Sequence, residues 1–134
     1  MRVIVDAMGG DNAPQAPVLG AVRAKKELGV DVTLVGRKEE IAKYLGKEKG
    51  IDIVDAREVV TMEDDPSTAT RRKKDSSMSV ALMLLKEGKG EAVVSAGSTG
   101  ALLTGATLTV KRIRGIRRAA LAPVIPNGGK GVML

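Results

Sequence analysis

Residues 91–110 constrain the fold more than any other part of the chain, because no charge follows Glu91 until Lys111. The stretch opens with Ala92-Val93-Val94, too short an apolar run for a helix and right for a buried strand. Gly97, Ser98, Thr99 and Gly100 follow at once. An uncharged segment, 101–110, then runs into Lys111, Arg112 and Arg114. The order is strand, glycine-rich turn, helix. Ser98 or Thr99 can cap the helix, and the cations fall at its C-terminal end, where the dipole favours them. Glycine lets the backbone turn sharply and approach a ligand closely. The first helix amides point into the turn without partners, which suits a phosphate or another oxyanion. The competing reading is an ordinary tight turn before a helix buried in an α/β core. The run 92–110 also has about the length of a membrane span. Ten of its nineteen residues are Ala, Val or Leu and the others are Gly, Ser and Thr, so it reads as a core element.

What the chain lacks narrows its chemistry. It has no cysteine and no histidine. Disulfides, thiolate metal sites and a cysteine nucleophile are excluded, and the commonest general base is missing. With 134 residues and 43% hydrophobic content, the chain is one domain or part of one. Its net charge of +6 predicts acidic partners or anionic ligands. Tyr44 is the single aromatic residue, which argues against nucleic-acid modules that stack bases on rings. A phosphate-only grip on a duplex stays open. Arg2 leads straight into Val3-Ile4-Val5-Asp6 with no long apolar core, so no signal peptide is read there and a soluble cytoplasmic protein is expected.

In chain order, 2–6 reads as a first buried strand. It ends in Asp6-Ala-Met-Gly-Gly-Asp11, a candidate ligand loop, since ligands in open α/β sheets lie outside the carboxyl ends of strands. The alternative is a plain strand-to-helix loop, in which Asp and Asn serve the turn itself. Pro17 suits the first turn of a helix. Val18, Val22, Lys25 and Leu28 make its stripe, with Ala21 beside it, and Gly29 closes it. Residues 31–35 are a second strand. A helix over 38–45 puts Ile41, Tyr44 and Leu45 on one face and ends at Gly46. Ile51, Ile53 and Val54 mark a third strand. This alternation predicts a parallel sheet with crossover helices.

The pattern then breaks. Glu63-Asp64-Asp65 could hold a cation weakly. Arg71, Arg72, Lys73 and Lys74 are either a solvated loop or an anion clamp. Ser76 or Ser77 can cap a buried helix over 78–85. Residues 111–118 carry five cations, again a solvated end or a docking face. Residues 119–125 read as a short strand or an extended connection, 126–130 as a turn and 131–134 as the start of a strand in which the sequence stops. No G-x-G-x-x-G follows the first strand, and no P-loop or G-x-S-x-G signature occurs.

Three segments in this order resemble the phosphate acyltransferase family of bacterial phospholipid synthesis. They are Val5-Asp-Ala-Met-Gly-Gly-Asp-Asn-Ala-Pro14, Arg71-Arg-Lys-Lys-Asp-Ser-Ser77 and Ser95-Ala-Gly-Ser-Thr-Gly-Ala101, and Leu121-Ala-Pro-Val-Ile-Pro126 extends the match. Ser98 stands where the family pattern has Asn, and reaches less far towards any ligand. The resemblance implies a three-layer α/β/α fold with a mainly parallel sheet, like phosphotransacetylase and isopropylmalate dehydrogenase. Residues 1–134 would be the N-terminal part of a single such domain, not a competent enzyme alone. It also implies that inorganic phosphate attacks the thioester of an acyl-acyl carrier protein. A homodimer, a cytoplasmic protein working at the membrane surface, and no metal or organic cofactor are implied as well. Candidate substrate-binding residues are Asp6, Gly9, Gly10 and Asp11; Arg71, Arg72, Lys73, Lys74, Asp75 and Ser76; and Gly97, Ser98, Thr99 and Gly100. No catalytic residue is assigned. The rival readings are a basic anion- or nucleic-acid-binding module without catalysis, and phosphotransacetylase-like chemistry on a coenzyme A thioester.

Overall fold

Four short apolar runs in the sequence become one parallel sheet. The computed structural model describes residues 1–127 and 129–133. Strands β1 (Arg2–Asp6), β2 (Asp31–Gly36), β3 (Ile51–Asp55) and β4 (Ala92–Val94) pair in the order β3-β2-β1-β4. Helices α1 (Gln15–Leu28) and α2 (Lys38–Leu45) make the first two crossovers. Helices α3 (Ala69–Arg72) and α4 (Ser77–Lys86) lie between β3 and β4, and α5 (Thr99–Thr109) follows β4. This is an α/β fold with helices on both faces of a parallel sheet, as expected.

Alternation along the strands divides the core. Val32 and Leu34 of β2 face α1 and α2 and bury Val18, Ala21, Ile41 and Leu45. Val35 of β2 and Ile4 of β1 face the other way, against Ala81 of α4. A third cluster joins α3, α4 and α5 through Ala69, Met78, Leu82 and Ala101. Leu34 and Ile41 are fully buried, and each such side chain stabilises the fold by about 1.5–3 kcal/mol.

Glycines stop the first two helices where the sequence puts them. Gly29 is left-handed, with φ 65°, and its N–H returns to the Lys25 carbonyl. Gly46 has φ 61° and closes α2 on Ala42. The predicted stripes are less complete. Leu28 is 73% exposed and Tyr44 38% exposed, so the buried faces are Val18 with Ala21, and Ile41 with Leu45.

Ser76 is the cap of α4. Its Oγ accepts the Ser79 N–H at 3.3 Å and lies 2.8 Å from its own acceptor, the Lys73 carbonyl, with the residue fully buried. Ser76→Ala should cost about 1–2 kcal/mol. Chemical denaturation measures this, and no shift in the unfolding midpoint would show that the cap is dispensable.

The run 92–110 is a strand, a loop and a helix, as the sequence predicts, and no helix among the described residues is long and apolar enough to cross a membrane. Two expectations for the second half need correction. α5 ends at Thr109, and Lys111 has φ 75°, so Lys111, Arg112 and Arg114 fall beyond the helix rather than in its last turn. β5 (Val124–Asn127) and β6 (Lys130–Met133) form their own antiparallel pair, with Asn127 opposite Lys130. The turn expected over 126–130 is thereby narrowed; its Gly128, and Leu134 of the last expected strand, lie outside the described residues.

Candidate functional site at the carboxyl ends of β1 and β4

The sheet order places a crevice between two neighbouring strands. From β1 the chain crosses over to β2 on one side, and β4 joins β1 on the other. The carboxyl ends of β1 and β4 are therefore a topological switch point, where open α/β sheets bind ligands. Val5 pairs with Val94, so the residues that leave the two strands, Asp6 and Ser95, emerge side by side.

Those two side chains join the loops. The Ser95 hydroxyl donates to Asp6 Oδ2 at 2.7 Å. The other carboxylate oxygen accepts the Met8 N–H at 3.1 Å, and Ser95 Oγ accepts the Gly97 N–H at 3.1 Å. Asp6 is 2% exposed. A buried carboxylate is tolerated because both oxygens are satisfied. One chain of hydrogen bonds thus fixes the shape of both loops.

Gly9 lies inside this brace. A Cβ there would stand 2.7 Å from Asp6 Oδ2, 2.8 Å from Ser95 Oγ and 2.9 Å from the Gly97 nitrogen. Gly10 has φ 100° and rests on Ala96. At Gly97 a Cβ would meet the Gly9 Cα and Ser95 Oγ at 3.3 Å and Met78 Cε at 3.4 Å. The glycines permit loop-on-loop contact, a different reason from the ligand approach read in the sequence.

α5 begins on this platform. Ser98 is buried and caps it, accepting the Ala101 N–H at 3.4 Å. Thr99 and Gly100 are exposed, and their amides make no hydrogen bond to a described residue. They are the first amides of an eleven-residue helix, whose dipole favours an anion there by roughly 0.3–1 kcal/mol, or about 2 when partly buried. An anion seated against Asp6 would be opposed by about 4 kcal/mol at 4 Å in an effective dielectric of 20. The carboxylate therefore braces the loops, and the favourable dipole lies on the Thr99 and Gly100 side. Asp11 lies exposed on the rim.

The cationic run is dispersed rather than gathered. Lys73 turns inward, and its Nζ donates to Asp64 Oδ2 at 2.6 Å and to the Val59 carbonyl at 2.8 Å. Arg71 and Lys74 line a separate groove with Met83, Glu87 and Thr109, the last at the far end of α5. Eleven residues of helix span about 16 Å between that end and Thr99. Arg72 is exposed near Asp65. Asp75 accepts the Arg57 N–H at 3.2 Å, and Ser76 is the α4 cap already described. The structure thus brings together Asp6, Gly9, Gly10, Gly97, Ser98, Thr99 and Gly100, and keeps Arg71 and Lys74 elsewhere. Ser95 belongs in the first group and is absent from the sequence-derived set. Its position directly after the strand that pairs with β1 was the available signal.

The acidic segment before α3 is structural. Lys73 beside Asp64, with the Thr61 N–H, holds its carboxyl below the usual Asp range. The Ser67 N–H and hydroxyl do the same for Asp65. These oxygens are occupied by protein donors, which leaves them poorly placed for the cation considered from sequence. Both shifts are downward, so the stability they give is present above the ordinary Asp value, about 3.9, and is lost as the pH falls through the lowered folded-state values. Asp64→Asn should therefore flatten the acid limb of a melting-temperature profile. The gap between wild type and variant should close as the pH falls, and an unchanged limb would contradict the pairing.

Fold and site define an α/β protein with two braced, glycine-rich loops at a sheet switch point. A family model described as "Fatty acid synthesis protein" matches residues 1–134, and the chain belongs to that family. Relatives named "Phosphate acyltransferase" are 51% identical in Clostridium kluyveri over 138 residues and 48% identical in Clostridium acetobutylicum over 139. A third, from Bacillus cytotoxicus, is 48% identical over 136 residues. Each match covers 100% of this chain, but 41%, 42% and 41% of the respective relatives. The chain thus spans about two fifths of the length of the curated relatives it matches.

Proposed function

We propose that residues 1–134 are the N-terminal part of a single α/β phosphate acyltransferase domain, and that they supply its phosphate platform. In the reaction, a phosphate oxygen attacks the thioester carbonyl of an acyl-acyl carrier protein. The carbon–sulfur bond breaks, acyl phosphate forms, and the carrier thiolate leaves and takes up a proton. Phosphate is already an anion and a nucleophile at neutral pH, so the lack of histidine and cysteine is no obstacle. The protein's task is to hold phosphate, orient it and stabilise the developing oxyanion. The observation that carries this reading is the pair of exposed residues Thr99 and Gly100, whose amides make no hydrogen bond to a described residue, at the start of the helix that follows the Asp6–Ser95 brace. Exposed cations at Arg71, Arg72 and Lys74 and across 111–118 support docking of an acidic carrier. A homodimer working in the cytoplasm at the membrane surface, without metal or organic cofactor, belongs to the same proposal.

One substitution tests the platform with little effect on the fold. Thr99 is the first residue of α5, where proline is favoured. Ser98 before it has φ −57° and ψ 113°, outside the α region that a following proline disfavours. Thr99→Pro removes one amide donor and leaves the helix. A lost hydrogen bond to a charged group costs about 1.5–3 kcal/mol. In a protein carrying this chain at its N-terminus, the phosphate KM for acyl-phosphate formation should rise at least about tenfold. Thr99→Ala, which keeps the amide, should leave KM near its starting value. Equal KM for both variants would defeat the proposal.

A further inference from the structure

We propose that Lys73 is a positioning residue for the Thr99 and Gly100 amides: it ties residues 58–77 into a strap that holds the first turns of α5. The inference rests on the reading of Thr99 and Gly100 as the phosphate site and deepens it. The strap is closed at its base, where Glu58 and Ser76 form a parallel bridge. The Glu58 N–H donates to the Asp75 carbonyl at 3.0 Å, and the Ser77 N–H donates to the Glu58 carbonyl at 3.2 Å. Between these ends the chain runs against α5. A Cβ built at Gly100 would stand 3.0 Å from Pro66 Cβ, and one at Gly105 would stand 2.8 Å from Thr70 Cγ2. Between those two points Ala101 shares a buried cluster with Val60 and Ala69. The strap therefore meets α5 from its first turn onwards, at the residues whose amides face the proposed anion.

A loop of this length has much conformational freedom to lose, and Lys73 reaches across its interior. Its Nζ donates to Asp64 Oδ2 at 2.6 Å and to the Val59 carbonyl at 2.8 Å. The same Asp64 oxygen accepts the Thr61 N–H at 2.7 Å. The Lys73 and Asp64 side chains are 30% and 23% exposed, which makes theirs the least exposed ion pair among the described residues. Shelter from water spares it much of the screening that weakens surface pairs. Asp64 stands two residues before Pro66, so the tie ends beside the residue that meets Gly100. The ammonium is thereby engaged within the strap, and its effect on a phosphate runs through Asp64, Pro66 and Gly100.

Two variants with opposite charge changes test this. Lys73→Met removes a positive charge and Asp64→Ala a negative one. Acting through space, the first would weaken inorganic phosphate binding and the second would strengthen it. Acting through the strap, both weaken it, by about three- to thirtyfold in dissociation constant. Binding is read from the backbone amide resonances of Thr99 and Gly100 during a phosphate titration, with the melting temperature of each variant measured alongside. Both variants should also move those resonances before phosphate is added. Lys73→Arg, which keeps the ion pair, should restore binding. Pro66→Gly, which leaves the pair in place and removes the contact at Gly100, should weaken binding as the first two do. Weaker binding in Lys73→Met with tighter binding in Asp64→Ala would overturn the inference and make Lys73 a direct ligand of the anion. Lower melting temperatures with unchanged phosphate affinity would overturn it as well, leaving the pair a stabilising contact alone. Should Lys73→Met fail to fold, Pro66→Gly decides, and unchanged affinity there overturns the inference. In all of these outcomes the unaltered chain binds phosphate at Thr99 and Gly100. Its failure to do so would defeat the proposed function and the positioning role together, so the two kinds of failure are distinguishable.

Discussion

Gly9→Ala should lower the stability of this chain by about 2–4 kcal/mol. The added Cβ falls within 2.9 Å of three polar atoms, Asp6 Oδ2, Ser95 Oγ and the Gly97 nitrogen. None of these belongs to a flexible side-chain end that can step aside, because each takes part in the chain of hydrogen bonds joining the loops. Overpacking alone costs about 1–3 kcal/mol, and a buried hydrogen bond broken on one side adds about 1–3. The contrast is Gly20→Ala, which meets nothing and should gain about 0.5–1 kcal/mol from helix propensity. Urea unfolding of both variants gives the comparison. A Gly9→Ala change below about 0.5 kcal/mol would mean that the two loops do not close on each other as described.

Asp6→Ala is the second large effect, expected at about 3 kcal/mol. Removing the carboxylate leaves the Ser95 hydroxyl and the Met8 N–H without their acceptor in a buried place, and each unsatisfied group costs about 1–3 kcal/mol. Ser95→Ala removes one donor to Asp6 and the acceptor for Gly97. Because these residues act as one unit, the double variant should cost less than the sum of the singles, with a coupling energy of about 1–2 kcal/mol. Simple additivity would show that the brace is not cooperative. If the proposed platform is right, loss of phosphate binding should accompany loss of the brace, since Ser95 anchors the loop that leads into Thr99 and Gly100.

The sequence carries local information well and long-range information poorly, and individual residues show why. Strand and helix boundaries in the first half follow from apolar runs closed by Gly29 and Gly46, all local signals. The buried fraction of each element was overread where the neighbour is distant. Val94 looks like core by composition, yet it lies on an edge. The Asp6–Ser95 hydrogen bond joins residues 89 apart, and nothing in either segment announces its partner until β1 and β4 are paired. The glycines at 9 and 97 stand out in the sequence as ligand-loop residues, whereas the structure shows them in mutual contact, which requires both loops at once. Lys73 shows the same limit. Four consecutive cations read either as a solvated loop or as one clamp, and Asp64, nine residues away, takes Lys73 out of any such clamp. The short turn of α3 also directs Arg71 and Lys74 towards Met83 and Thr109.

The most direct test of the phosphate platform is a titration of the isotope-labelled protein with inorganic phosphate, followed through its backbone amide resonances in a phosphate-free buffer at constant ionic strength. The proposed site predicts saturable shifts centred on Thr99 and Gly100, with smaller ones in the loop around Gly10 and Gly97. It also predicts their loss at position 100 in Thr99→Pro. Saturable shifts confined to Arg71, Arg72 and Lys74 or to residues 111–118, with Thr99 and Gly100 unmoved, would contradict it and move the anion site to the cationic surface.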